Sequence, residues 1–188
     1  MFESKTACNC AKPRGAGFTL IELMITLAVA AVLLAIAVPS FNQMIVGNRL
    51  ATQANEIVAA VSLARSEAIK RNASITLCRV QESDDTDCVD DVGSWENWVV
   101  RTGAGTIVQR GVVNTYGGTF VVSSTLETDQ VVFGPDGLAR ADGAIIAADA
   151  ENNVIRLCST RLDNENVRLV ALGAGSRVST TIERDDEC

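Results

Sequence analysis

The hydrophobic pattern changes period along the chain, and each change marks a different element. From Phe18 to Val38 the chain runs 21 residues with only Thr19, Glu22 and Thr26 polar, close to the ~20 residues an α-helix needs to cross hydrocarbon. From Phe41 to about Arg71 the apolar positions thin to a stripe: Leu50, Ala54, Ile57, Val61, Ala64 and Ala68 recur at three- and four-residue steps, with Val58 alongside. Arg49, Gln53, Glu56, Arg65 and Glu67 fall on other faces, which is the pattern of an amphipathic helix. The two stretches together predict one rod of ~54 residues, roughly 80 Å long. Pro39 is expected to kink that rod or break its ladder, and Gly47 is a second weak point.

From Ser74 onward the period switches to two and β-branched residues dominate. Strands are predicted at Ser74 to Val80, Trp98 to Thr102, Thr106 to Arg110, Thr119 to Ser123, Gln130 to Phe133, Leu138 to Ala141, Asn153 to Cys158, Arg168 to Leu172 and Arg177 to Ile182. Turn residues separate them. In Gly134-Pro135-Asp136-Gly137 the proline presets its own dihedral and glycine tolerates a positive one. The pattern therefore predicts an α+β protein, a long N-terminal helix whose outer half buries its stripe against an antiparallel β domain.

Glu22 is the costly residue. A carboxylate at membrane depth costs at least ~2.5 kcal/mol, so it requires a partner. Ahead of the apolar run, Lys5, Lys12 and Arg14 stand against Glu3; basic flanks hold that end in the cytoplasm and send the rest outward. A cleaved secretory signal would have a shorter core, about 7–15 residues, followed by a small-residue cleavage site. Val38-Pro39-Ser40 offers no such site.

Lys12-Pro13-Arg14-Gly15-Ala16-Gly17 ahead of Phe18-Thr19-Leu20-Ile21-Glu22 resembles the type III signal of type IV prepilins. That resemblance implies cleavage between Gly17 and Phe18 by a prepilin peptidase, N-methylation of Phe18, and retention of the helix in the mature protein. Glu22 would then lie four residues beyond a new cationic terminus and recruit the terminus of the next subunit. Such a pair is worth far more at low dielectric than in water, and either charge alone is penalised by desolvation. The resemblance divides the chain into a leader (1–17), a transmembrane and assembly helix (18–38), an amphipathic helix (39–71) and a β domain (72–188).

The resemblance narrows to the GspH/FimT group of minor pilins and pseudopilins on Met24 to Ala28, Ala37 to Phe41, Ala64-Arg65-Ser66-Glu67-Ala68, Thr76-Leu77-Cys78, Trp95-Glu96-Asn97-Trp98 and Phe133-Gly134-Pro135-Asp136-Gly137. Within that group the chain is most similar to FimU/FimT proteins. The implied role is a minor pilin that helps initiate pilus assembly and connects tip proteins to the shaft. Implied partners are other minor pilins, the major pilin, the prepilin peptidase and the inner-membrane assembly platform. It would sit in the inner membrane through residues 18–38 with its C-terminus in the periplasm, and in the pilus after assembly. A type II secretion pseudopilin shares the same signal, fold and glutamate.

Charge and cysteines sharpen the picture. The chain carries 16 basic and 23 acidic residues; without residues 1–17 these become 13 and 22, so the mature side chains sum to −9. Nucleic-acid capture needs a basic patch. FimT-like competence pilins use a Gly-Arg-x-Arg motif for it, and the matching Gly175-Ser176-Arg177-Val178-Ser179 keeps one arginine. Arg156, Arg161, Arg168 and Arg184 could join Arg177 on one face, but Glu183, Asp185, Asp186 and Glu187 crowd that end, so DNA is a disfavoured partner.

Cys8 and Cys10 fall in the leader, leaving Cys78, Cys88, Cys158 and Cys188 in the exported part, where disulfides persist. Four cysteines allow three connectivities. Cys78 with Cys88, across a polar loop, and Cys158 with Cys188, fastening the chain end, are preferred.

No cofactor is expected. The chain has no His and no C-x-x-C spacing for zinc. The acidic residues Asp84, Asp85, Asp87, Asp90 and Asp91 lack the order of a calcium loop. No nucleophile elbow or phosphate loop appears, so an enzyme is not expected. Trp95 and Trp98 read as core residues in preference to exposed binding anchors.

Overall fold

The computed structural model describes residues 17–91, 93–126, 128–146, 154–186 and 188. Glu3, Lys5, Cys8, Cys10, Lys12, Arg14, Asn153 and Glu187 lie outside the described residues. By compactness the chain divides into Met1–Phe41 and Asn42–Cys188.

One helix, α1, runs from Leu20 to Arg71 and continues through Pro39. Proline brings no amide, so the Ala35 carbonyl loses its usual helical donor there. Thr19 starts the helix: its side-chain oxygen accepts from the Glu22 amide at 3.2 Å, the N-cap bond that satisfies a first-turn donor. Basic Lys70 and Arg71 occupy the last turn, where they complement the helix dipole. Both pair with Glu67, at 3.3 and 2.5 Å.

In the second unit α1 buries Leu50, Gln53, Ala54, Ile57, Ala60, Val61, Ala64 and Ala68. Alanines at three of the last four of these positions leave little side-chain bulk on that face. The sheets are both antiparallel. In chain order the strands are β1 (Ile75–Val80), β2 (Asn97–Thr102), β3 (Ile107–Val112), β4 (Phe120–Ser124), β5 (Gln130–Phe133), β6 (Ala139–Ala141), β7 (Ala144–Ile145), β8 (Val154–Ser159), β9 (Val167–Gly173) and β10 (Arg177–Glu183). A six-stranded sheet has the order β3-β2-β1-β5-β6-β7, and a four-stranded sheet the order β10-β9-β8-β4.

Alternation along the strands decides which side chains meet the helix. Ile75 and Leu77 of β1, Val131 and Phe133 of β5, Ile155 and Leu157 of β8, and Val170 and Leu172 of β9 join the helix stripe in one core. Cys78, Val80 and Val99 form a second, small cluster with Cys88 and Ile107 packed against it. It holds the loop after β1 against the six-stranded sheet. The prediction missed β7, whose two residues are too few to show a period, and placed most other strand ends within a residue or two.

The Gly134–Gly137 turn connects β5 to β6. The Gly137 amide donates to the Gly134 carbonyl at 2.9 Å, and Gly137 has φ +71°, a left-handed conformation that costs glycine nothing. Asp136 accepts from Arg140 at 2.7 and 3.1 Å and from the Leu138 amide at 3.0 Å. Those bonds, the arginine's first, hold its carboxyl down to about 2.

Candidate functional site

The N-terminal unit presents apolar surface without a cover of its own. Phe18 is 85% exposed, and Leu20, Ile21, Leu23, Met24, Leu27, Val32, Leu33, Leu34 and Ile36 are each more than half exposed. Among the described residues α1 is the one helix long and apolar enough to cross a membrane, and none of that apolar window is buried within the chain. Side chains of this kind require lipid or neighbouring helices, since water contact costs each about 1.5–3 kcal/mol.

Glu22 sits in the first turn of that surface. Its amide is satisfied by Thr19, and its carboxylate has no ion pair among the described residues, where every pair involves positions from Glu67 onward. Thr19-x-x-Glu22 has the spacing of a capping box, of which the Thr19 bond to the Glu22 amide is formed. The geometry thus offers an anion at a helix start, in apolar surroundings, with no ion-pair cation among the described residues.

Among its described residues the second unit shows no comparable site. Among the described residues no group of His, Cys, Asp and Glu is arranged to hold a metal. The structure joins Cys78 to Cys88 and Cys158 to Cys188, with Cα atoms 5.6 and 5.7 Å apart. The first bond pins the acidic loop, which is also gripped from the sheet: Arg101 reaches Asp87 at 2.9 Å and the Thr86 carbonyl at 2.8 Å, and Arg110 reaches the Ser83 and Asp85 carbonyls. The second bond fixes the chain end beside Arg156 and Asp185, paired at 2.6 Å.

Trp95 and Trp98 are both buried. The Trp95 indole donates to Asp129 at 2.8 Å, and Asp129, fully buried, also accepts from Arg79 at 2.9 Å, the Gly93 amide at 2.8 Å and the Ser124 hydroxyl. This knot closes the end of the core row that begins with Ile75 and Leu77. Nothing in the sequence singles out Asp129, an acid in a short connection. Trp98 lies over Gly111, where a Cβ would come within 2.0 Å of the ring, so only glycine fits beneath it.

The five arginines that could have formed a nucleic-acid face are not brought together. Arg156 is paired with Asp185 and Arg184 with Asp186. Arg168 is buried and bonded to the Glu165 and Val167 carbonyls, and burial lowers its pKa. Arg161 lines a cleft with Asn42 to Arg49, whereas Arg177 lines a different one with Val58 to Ile69.

An apolar N-terminal helix with a first-turn carboxylate, attached to a helix-backed antiparallel domain, defines the pilin class. A family profile for the prokaryotic N-terminal methylation motif matches residues 12–38, and the profile for type II transport protein GspH matches residues 53–176, more than half the chain. The chain belongs to the GspH family, a group of minor pilins and pseudopilins. Two crystal forms of the type IV minor pilin FimU of Pseudomonas aeruginosa are similar in fold. One aligns with TM-score 0.50 at 14% identity over 73% of this chain and 90% of FimU; the other gives 0.48 at 12% over 69% and 90%. No curated protein matches the sequence.

Proposed function

We propose that this chain is a minor subunit of a type IV pilus that helps initiate assembly and connects tip proteins to the shaft. Prepilin peptidase cuts between Gly17 and Phe18, and the new terminus at Phe18 is methylated. The observation that supports the reading is Glu22, an anion in exposed apolar surface with no ion-pair cation among the described residues. A neighbour's Phe18 amine supplies that cation, and neighbouring helices supply the apolar cover. The charge pair sets register, because at low dielectric a mismatch leaves two bare charges. The exported domain, acidic and free of a metal cluster among its described residues, serves as a contact surface for other pilins.

The test compares wild type, a deletion strain and Glu22→Ala for surface pili, with the mass of the mature N-terminus measured in parallel. The expected result is a processed, methylated Phe18 in the variant together with severalfold fewer pili. Normal piliation in Glu22→Ala would refute the charge-pairing role. Lost protein secretion with intact pili in the deletion strain would move the chain to a type II secretion pseudopilus.

A further inference from the structure

A sheet edge is a row of unpaired amides and carbonyls, and folded proteins manage each one. Among the described residues this domain has four, and three are handled. The pairing of β3 with β2 is broken by a register shift at Val100 and Arg101, and Arg110 on β3 is tied to the acidic loop. β7 has two residues. Along β4 the Trp95 amide donates to the Val122 carbonyl at 3.1 Å, so that edge already has a partner.

The fourth edge, β10, is different. It is seven residues long, pairs with β9 residue for residue from Arg177 to Glu183 without a shift, and is exposed at every position except Val178. It contains no proline or lysine, and Val178, Thr180, Thr181 and Ile182 are β-branched. Of the described residues that follow it, Asp185 and Cys188 are held to Asn166, Arg156 and Cys158.

Beside the start of β10 lies an open groove of about 470 Å³ between the strand and α1. Val58 and Val178 give it an apolar floor, and Ile69 stands at its rim, 53% exposed. Two cations line it. Arg65 donates to the Ser176 carbonyl at 3.1 Å, and Arg177 is exposed; neither has a carboxylate within ion-pair distance among the described residues. In a protein whose mature side chains sum to −9, two arginines left without acids mark where an acidic partner fits.

We propose that β10 and this groove accept an extended, acidic-ended segment of a neighbouring protein as an added strand. Alternate backbone groups of β10 would pair with the segment, as in other strand-addition interfaces. Its carboxylate would meet Arg177 and Arg65, and an apolar side chain would enter between Val58 and Ile69. The site lies wholly in the exported unit and is independent of Gly17, Phe18 and Glu22.

The test uses the full mature chain in detergent and a short synthetic peptide of alternating threonine and valine with an aspartate at either end. Backbone hydrogen exchange is followed at β10. At peptide concentrations of about 1 mM, alternate β10 amides should exchange more slowly, and replacing the peptide's aspartates by lysines should weaken binding about tenfold. Arg177→Glu, an exposed change that leaves the core untouched, should reverse that preference. Unchanged exchange at β10, or protection equal for both peptides, would overturn the proposal. Protection by an oligothymidylate and not by the peptide would overturn it in favour of nucleic acid. Protection that rises with protein concentration alone would overturn it in favour of a second copy of the chain.

Discussion

Asp129 takes bonds from four donors, three of them on residues at least 34 positions away in sequence, and is fully buried. Replacing it by alanine leaves the Arg79 guanidinium, 7% exposed, without its buried partner. Stranding one member of a buried pair costs about 3–5 kcal/mol. Asp91 also bonds Arg79, at 2.7 Å, but its own side chain is 79% exposed, so its loss should cost about 1 kcal/mol or less. Denaturant midpoints of Asp129→Ala and Asp91→Ala should therefore differ widely; equal midpoints would show that burial of the knot contributes little. The contrast also explains what the sequence could reveal at this scale. Glu22 stood out because its neighbours are apolar for a whole helix, whereas Asp129 sits among polar connection residues and acquires meaning only when Arg79 of β1 and Trp95 of the turn before β2 meet it.

At the scale of elements, periodicity located the helix and nine strands, because each alternates faces over enough residues to leave a record. β7 left none. Edge status left none either: that β10 and β4 end a sheet follows from the sheet order, and that β4 has a further partner follows from the Trp95 amide. The β5–β6 turn was readable from Pro135 and Gly137, and it has a pH consequence that was not. Asp136 titrates at about 2 in the fold against an ordinary 3.8, so its folded form holds the proton less tightly. The contribution is fully present above about 4 and is lost as pH falls through about 2. Since the group is exposed, the effect is local and weakened by salt. Carbon chemical shifts of the Asp136 carboxyl should give a midpoint well below the ordinary 3.8, and Arg140→Gln should raise it towards that value. A midpoint near 4 in the wild-type chain would remove the Arg140 bond from the account.

The whole molecule joins two surfaces with opposite needs through one helix. Among the described residues those up to Phe41 are exposed, whereas the helix beyond is part of the domain's core: Leu50, Ile57 and Val61 are at most 1% exposed and belong to one core cluster with residues of both sheets. The cut between soluble and insoluble fragments is therefore set by burial and not by where the helix ends. A fragment starting at Asn42 should fold, form both disulfides and stay monomeric without detergent, because it keeps every buried helix position and loses only uncovered apolar ones. A fragment starting at Asn72 would retain all ten strands yet expose the core faces of both sheets. Each large aliphatic side chain removed from that interface costs about 1.5–3 kcal/mol, against a total stability of about 5–15 kcal/mol for a typical domain, so losing Leu50, Ile57 and Val61 together with Ala54, Ala60, Ala64 and Ala68 exceeds what the sheets can retain alone. Circular dichroism and sedimentation of the two fragments provide the check. A folded, monomeric fragment from Asn72 would mean that the sheets close on each other without the helix, and that the helix is an attachment to the domain and not its core.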